Sequence, residues 1–287
     1  MVVAASCAAM LLNGCAARNA NRFEAFAKAG GEYADSMGSL IEQAGSLAVD
    51  TDSDILLTIR EPLSRQERQQ QYQAHTEELR SLLGQLKEID RHASLLKSYF
   101  LLLARMAASD QPRQVAGDAQ QLIDSLVAVG GVIGKGSFGK SNAGQYVGTG
   151  TSFIVGAFRQ KVLEEELRLH GALIVRELDL QLSVLKTLSI QMRSDSSVSA
   201  GIREYAMLMK PYASGAPMPS EWKRTRQEAL NGKSPVTALD AAARSASRLR
   251  ESFIALAEGR LDPAEIDTLL ADIDAAKNSI KRITPGR

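Results

Sequence analysis

Residues 79–103 read LRSLLGQLKEIDRHASLLKSYFLLL, and their spacing decides the fold. Leu79, Leu82, Leu86, Ile89, Ala93, Leu96, Phe100 and Leu103 recur at intervals of 3, 4, 3, 4, 3, 4 and 3, an a/d heptad seam. A seam of this kind puts one apolar stripe on one side of an α-helix and requires a partner to bury it. The helix is predicted to run from about 62 to about 108, roughly 70 Å at 1.5 Å per residue. Pro62 suits a first turn, and Ser64 and Glu67 stand at capping-box spacing. Asp110-Gln111-Pro112 ends it.

Upstream, Phe23, Phe26, Ala27, Leu40, Ile41, Ala44, Leu47 and Ala48 keep helical spacing. Gly30-Gly31 and Gly38 interrupt them, so a broken or kinked helix is expected over 20–48, then an acidic turn, Asp50-Thr51-Asp52-Ser53-Asp54. Downstream, a second long helix is expected from about 152 to 193. Within it Leu178, Leu180, Leu182 and Val184 alternate with polar residues, as in a strand. Helix is favoured because Leu, Glu, Arg and Gln are good helix formers and no breaker intervenes between Gly171 and Ser194. Its apolar residues lie on several faces, which suits a central position in a bundle.

Past Asp195-Ser196-Ser197, shorter helices are expected: about 198–211, one from Ser220 to Asn231-Gly232, about 235–258, and 263–283 with Asp262 as N-cap and Pro263 at N1. The fold class is therefore all-α, an elongated helical bundle with two long antiparallel helices and a smaller C-terminal helical portion. Its parts are a leader over 1–14, a long-helix bundle over 15–195 with a Gly-rich hairpin at 126–158, and a short-helix portion over 196–287 packed on the bundle.

The chain has 287 residues, 45% of them apolar, enough for a substantial core. Lys and Arg number 34 against 33 Asp and Glu, and only 5% of residues are aromatic. That balance argues against nucleic acid, which needs a surplus of cations on some face and platforms for stacking.

Met1 to Gly14 carry no charge and end in Leu12-Asn13-Gly14 before Cys15. This resembles the lipobox of bacterial lipoproteins. The resemblance covers the leader alone and implies cleavage before Cys15, diacylglycerol on its thiol and a lasting bilayer anchor through several acyl chains. Ala16, rather than Asp, after the cysteine implies outer-membrane retention facing the periplasm. Cys7 would leave with the leader, so the mature body would contain no free thiol. The alternative is an ordinary apolar N-terminal helix.

Three patterns carry possible chemistry. Gly134-Lys135-Gly136-Ser137-Phe138-Gly139-Lys140-Ser141 matches the P-loop pattern, with Gly134, Gly139, Lys140 and Ser141 as its phosphate-binding positions. Leu126-Val127-Ala128-Val129 before it could pass as a strand, but Asn142-Ala143-Gly144 is a poor helix start, so a chance match is expected. The same region holds 9 of the 22 glycines between Gly130 and Gly156, with small residues four apart at Gly130 and Gly134 and at Gly144, Gly148, Ser152 and Gly156. That spacing suits either a close-packed bend or a membrane-dipping hairpin. Asp50, Asp52, Asp54 and Glu61 hold positions 1, 3, 5 and 12 of an EF-hand loop, but Ile55 stands where the turn needs Gly. His75, His92 and His170 form no di-iron Glu-x-x-His pair. Glu88 with His92 and Glu166 with His170 are i, i+4 neighbours suited to ordinary hydrogen bonds.

The expectation is a lipid-anchored envelope protein that binds or scaffolds a protein partner, without catalysis and without a cofactor. The runner-up is a membrane-active protein inserting the 126–158 hairpin; nucleotide binding is a distant third.

Overall fold

A computed structural model describes residues 3–60, 62–109, 112–136, 138, 161–215, 220–230 and 236–283, with side chains from Phe23 onward. The described residues are helical and contain no strand. The elements are α1 (Val3–Ile59), α2 (Arg65–Ala108), α3 (Pro112–Ala116), α4 (Ala119–Lys135), α5 (Lys161–Arg203), a π-helical stretch (Glu204–Met209), α6 (Lys210–Ser214), α7 (Trp222–Leu230), α8 (Val236–Ala257) and α9 (Pro263–Ile283).

The seam of α2 is buried from Leu86 onward, through Ile89, Ala93, Leu96, Phe100 and Leu103, while Leu79 and Leu82 are half-buried. Ser64 caps the helix, its hydroxyl accepting from Glu67 N at 3.3 Å while the Glu67 carboxylate accepts from Ser64 N at 2.8 Å. These hydrogen bonds hold the Glu67 carboxyl below its ordinary pKa. The capping box read from the sequence thus sets the start of α2.

α1 runs antiparallel to α2, clipped by Asp35–Lys97 at 2.9 Å and Asp52–His75 at 2.5 Å. α5 is antiparallel to α2 and parallel to α1, since Glu177 meets His92 at 3.0 Å and the Thr51 hydroxyl donates to Asp195 O at 3.2 Å. α8 returns along α5 through Arg250–Asp179 at 2.5 Å and Arg193–Asp240 at 3.3 Å. α9 closes on α1 through Lys277–Glu32 at 2.8 Å. One apolar core draws on all these helices, and its widest point is Phe26, Phe100 and Phe253, with ring centroids 5.2–6.2 Å apart. α8 ends at Gly259, which adopts left-handed φ 69°, and Asp262 then caps α9 by accepting from Ala264 N at 3.0 Å.

Three sequence expectations are corrected. α1 is one continuous helix, not broken at Gly30-Gly31 or Gly38. Helix propensity disfavours glycine, but packing requires it at Gly30, where a Cβ would stand 2.3 Å from Phe100 Cδ2; at Gly38 a Cβ would meet only the exposed Asp90 carboxylate at 3.0 Å. Asp50 to Asp54 form no turn but lie within α1, because their side chains are engaged by α2 and α5. α5 does not stop at Asp195-Ser196-Ser197 but continues to Arg203, held to α1 by Thr51–Asp195 and Asp54–Ser199. The proposed division at 195/196 therefore falls inside a helix.

Candidate functional site

Carboxylates spaced for a calcium loop are separated by the helix they sit on. Asp52 meets His75 of α2, and Asp54 accepts from Ser199 Oγ at 2.7 Å and Arg203 Nε at 3.0 Å on α5. They clip α1 to two different neighbours and do not converge, and no metal-holding cluster of His, Cys, Asp and Glu occurs among the described residues. Glu61 lies outside the described residues, as do Gly139, Lys140, Ser141, Gly144, Gly148 and Gly156. Cys15 lies on the backbone of α1. The residues leading into the P-loop pattern, Leu126 to Val129, are helical rather than extended, and Gly134 falls in the last turn of α4. Leu126, Val129, Gly130 and Ile133 pack into the bundle, so the first arm of the 126–158 segment is a buried face of α4. No described helix is long and apolar enough to cross a membrane.

The most concentrated chemistry is inside. His92 on α2 is fully buried; Gln181 Nε2 donates to its Nδ1 at 2.6 Å, which leaves the ring proton on Nε2, aimed at Glu177 Oε2 at 3.0 Å. Arg176 donates to the other carboxylate oxygen through Nη2 at 2.6 Å and Nε at 3.0 Å. Glu177 thus links a buried imidazole to a guanidinium at the bundle surface. Gly130 makes this geometry possible, because a Cβ there would stand 2.3 Å from Glu177 Oε2. One turn pattern was legible here and one was not. Glu166 and His170 do pair along α5 at 2.8 Å, but His92 ignores Glu88 and reaches across to Glu177. Glu177 and Gln181, one turn apart on a helix otherwise apolar on several sides, were the available signal. Further along the same interface burial, and then the charge of Glu166, push the Tyr99 hydroxyl well above its ordinary pKa. His92, Glu177 and Gln181 are sealed from solvent and tie α2 to α5.

Solvent meets different chemistry at the end of the bundle where α1 and α5 finish. The π-helical stretch carries Tyr205, Met207 and Met209, and Tyr212 lies just beyond on α6, each more than half exposed. Pro211 explains the local backbone: it has no N–H and its ring crowds the preceding turn, which widens to i→i+5 bonding, with Lys210 N donating to Tyr205 O. The chain's one tryptophan, Trp222, braces this turn. Its indole donates to Leu208 O at 3.1 Å, its ring stacks on Tyr212 at 6.2 Å, and Arg226 sits 5.5 Å over it. The sequence reading placed a loop at Pro211 and missed this patch; the signal was Tyr205-Ala206-Met207-Leu208-Met209, an apolar run too dense for one helix face.

No family model, curated protein or solved structure matches the chain.

Proposed function

We propose that this protein is a lipid-anchored scaffold of a bacterial envelope, tethered through Cys15 and presenting the Tyr205–Tyr212 patch to a protein partner. One observation carries the reading: α1 is a single helix from before Cys15 to Ile59, so anchor and patch stand at opposite ends of one rod. Asp54, which binds Arg203 beside the patch, lies 39 residues beyond Cys15, roughly 60 Å at 1.5 Å per residue. An exposed group of Met and Tyr side chains costs solubility and suits adaptable protein contacts. The buried His92, whose ring nitrogens face Gln181 and Glu177, ties helices together and supports a binding role rather than turnover.

Two measurements test it. Mass spectrometry of the envelope fraction should find Cys15 acylated at the new N-terminus; an unmodified chain in the soluble fraction overturns the tether. A photo-crosslinking residue at Met207 or Tyr212 should capture one discrete partner in cells, and Met209→Lys should abolish that capture while leaving stability within about 0.5 kcal/mol. Capture that is equal from an exposed mid-bundle position such as Leu169 would overturn the patch.

A further inference from the structure

Where α1 turns into α2, the two helices leave a groove of about 400 Å³, within the range of roughly 300–1,000 Å³ typical of small-molecule sites. Its wall is overwhelmingly apolar, formed chiefly by Leu57, Ile59, Leu63 and Tyr72. Leu57 and Tyr72 are 57% and 62% exposed, large side chains left open at the elbow. The charged residues on the rim are Arg60 and Arg68, and among the described residues no carboxylate lines the groove. Arg68 Nη1 lies 3.5 Å from Arg60 O, which holds its guanidinium across the C-terminal end of α1, at the mouth of the groove. Among the described residues no carboxylate pairs with Arg60 or Arg68.

An apolar trough with two guanidinium groups on one rim complements a molecule with a hydrocarbon tail and an anionic head. We propose that the elbow groove binds a single-chain anionic amphiphile of the fatty-acid class, its chain along Leu57, Leu63 and Tyr72 and its carboxylate on Arg60 and Arg68. The chain supplies area-driven affinity, and the two guanidinium groups supply charge-assisted hydrogen bonds that a neutral head cannot match. This site is separate from the Tyr205–Tyr212 patch and does not depend on acylation of Cys15.

The test uses the full-length chain with Cys15→Ala, so that no acyl chain of its own competes. Palmitate and palmityl alcohol are titrated against a bound fluorescent fatty-acid probe. Palmitate should displace it at micromolar concentration and the alcohol about tenfold less well, the factor expected for loss of one charge-assisted hydrogen bond. Arg60→Ala with Arg68→Ala should weaken palmitate to the level of the alcohol and leave the alcohol unchanged. Leu57→Asp, at an exposed position, should abolish both, and Tyr72→Ser should weaken both, with helicity unchanged in each. Equal displacement by acid and alcohol in the unsubstituted chain would overturn the assignment, as would binding that survives Leu57→Asp. A concentration-dependent dimer that Leu57→Asp dissolves and palmitate leaves intact would give the groove to a second copy of the chain and likewise overturn it.

Discussion

Replacing Gly30 by alanine should destabilise the bundle, although alanine is the better helix former. An ideal Cβ at this position lies 2.3 Å from Phe100 Cδ2, 3.0 Å from Cγ and 3.1 Å from Cε2. Carbon atoms in contact prefer about 3.5–4.0 Å, so ring and helix must part by more than an ångström. Phe100 has nowhere to go: it is fully buried, edge-on to Phe26 at 5.2 Å and tilted against Phe253 at 6.2 Å. Forcing a methyl group into such a core costs about 1–3 kcal/mol, against a propensity gain of about 1 kcal/mol. Gly84, on α2, is the internal control, because a Cβ there meets nothing within 4 Å and the propensity gain stands alone. The two substitutions should therefore differ by about 1–3 kcal/mol, a spread of roughly 2–5 °C in Tm for a chain of this size. Thermal and denaturant unfolding followed by circular dichroism measure both. Phe100→Leu should be less harmful in the Gly30→Ala background than alone, since it removes the clashing ring edge. If Gly30→Ala and Gly84→Ala raise Tm alike, the close approach of α1 to α2 does not exist and the account of the unbroken α1 fails with it.

Three further outcomes follow from the polar interior. The Tyr33 hydroxyl is buried without a hydrogen-bond partner among the described residues, and burial raises its pKa, so Tyr33→Phe should leave stability unchanged or raise it by up to about 1–3 kcal/mol; a clear loss in a denaturant titration would show that the hydroxyl is satisfied. Burial also raises the Asp195 carboxyl, the Gln191 hydrogen bond at 2.8 Å opposing it. A carboxyl raised above its unfolded value favours folding most when protonated and loses that contribution as pH climbs through the folded pKa, so Asp195→Asn should gain in Tm over the native chain near neutral pH and lose the advantage near about pH 3. His92→Leu should cost about 1–3 kcal/mol by leaving one oxygen of Glu177 without its partner while Arg176 keeps the other, whereas His92→Leu with Glu177→Met should recover most of it; a double substitution as unstable as the single would mean that the pair does more than satisfy itself.

The helical class, the seam of α2, its capping box and the Asp262 cap of α9 were legible because each depends on residues within one or two turns of one another. The continuity of α1 was not, since a glycine reads as a weak point until the partner that needs its missing Cβ is known, and Phe100 lies 70 positions away from Gly30. The same blindness hid the pairing of His92. Its local neighbour Glu88 was visible in the sequence, but the preference for Glu177 depends on Gly130 of α4 making room for a carboxylate on α5. Spacing alone also could not tell that Asp52 and Asp54, two residues apart, would turn to different helices. The exposed patch escaped for the converse reason: Pro211 predicts an interruption, but not that the chain would absorb it by widening the turn before it and continuing outward.

These two kinds of illegible feature divide the molecule by role. Three long-range polar contacts join α2 or α1 to α5 and fix their register, since sliding α5 by one turn would take Glu177 from His92, Asp195 from Thr51 and Ser199 from Asp54 together. An apolar seam tolerates such slippage because Leu replaces Leu every turn; buried donors and acceptors do not, as each orphaned group costs about 1–3 kcal/mol. Register in turn sets where α5 ends relative to the end of α1. That offset is what carries the π-helical stretch, Tyr205, Met207 and Tyr212 beyond the core, and leaves the α1–α2 elbow uncovered beside Arg203 and Asp54. The sealed histidine cluster therefore acts on the exposed surfaces through geometry: it holds three long helices at the one stagger in which the far end of the rod presents apolar side chains to solvent.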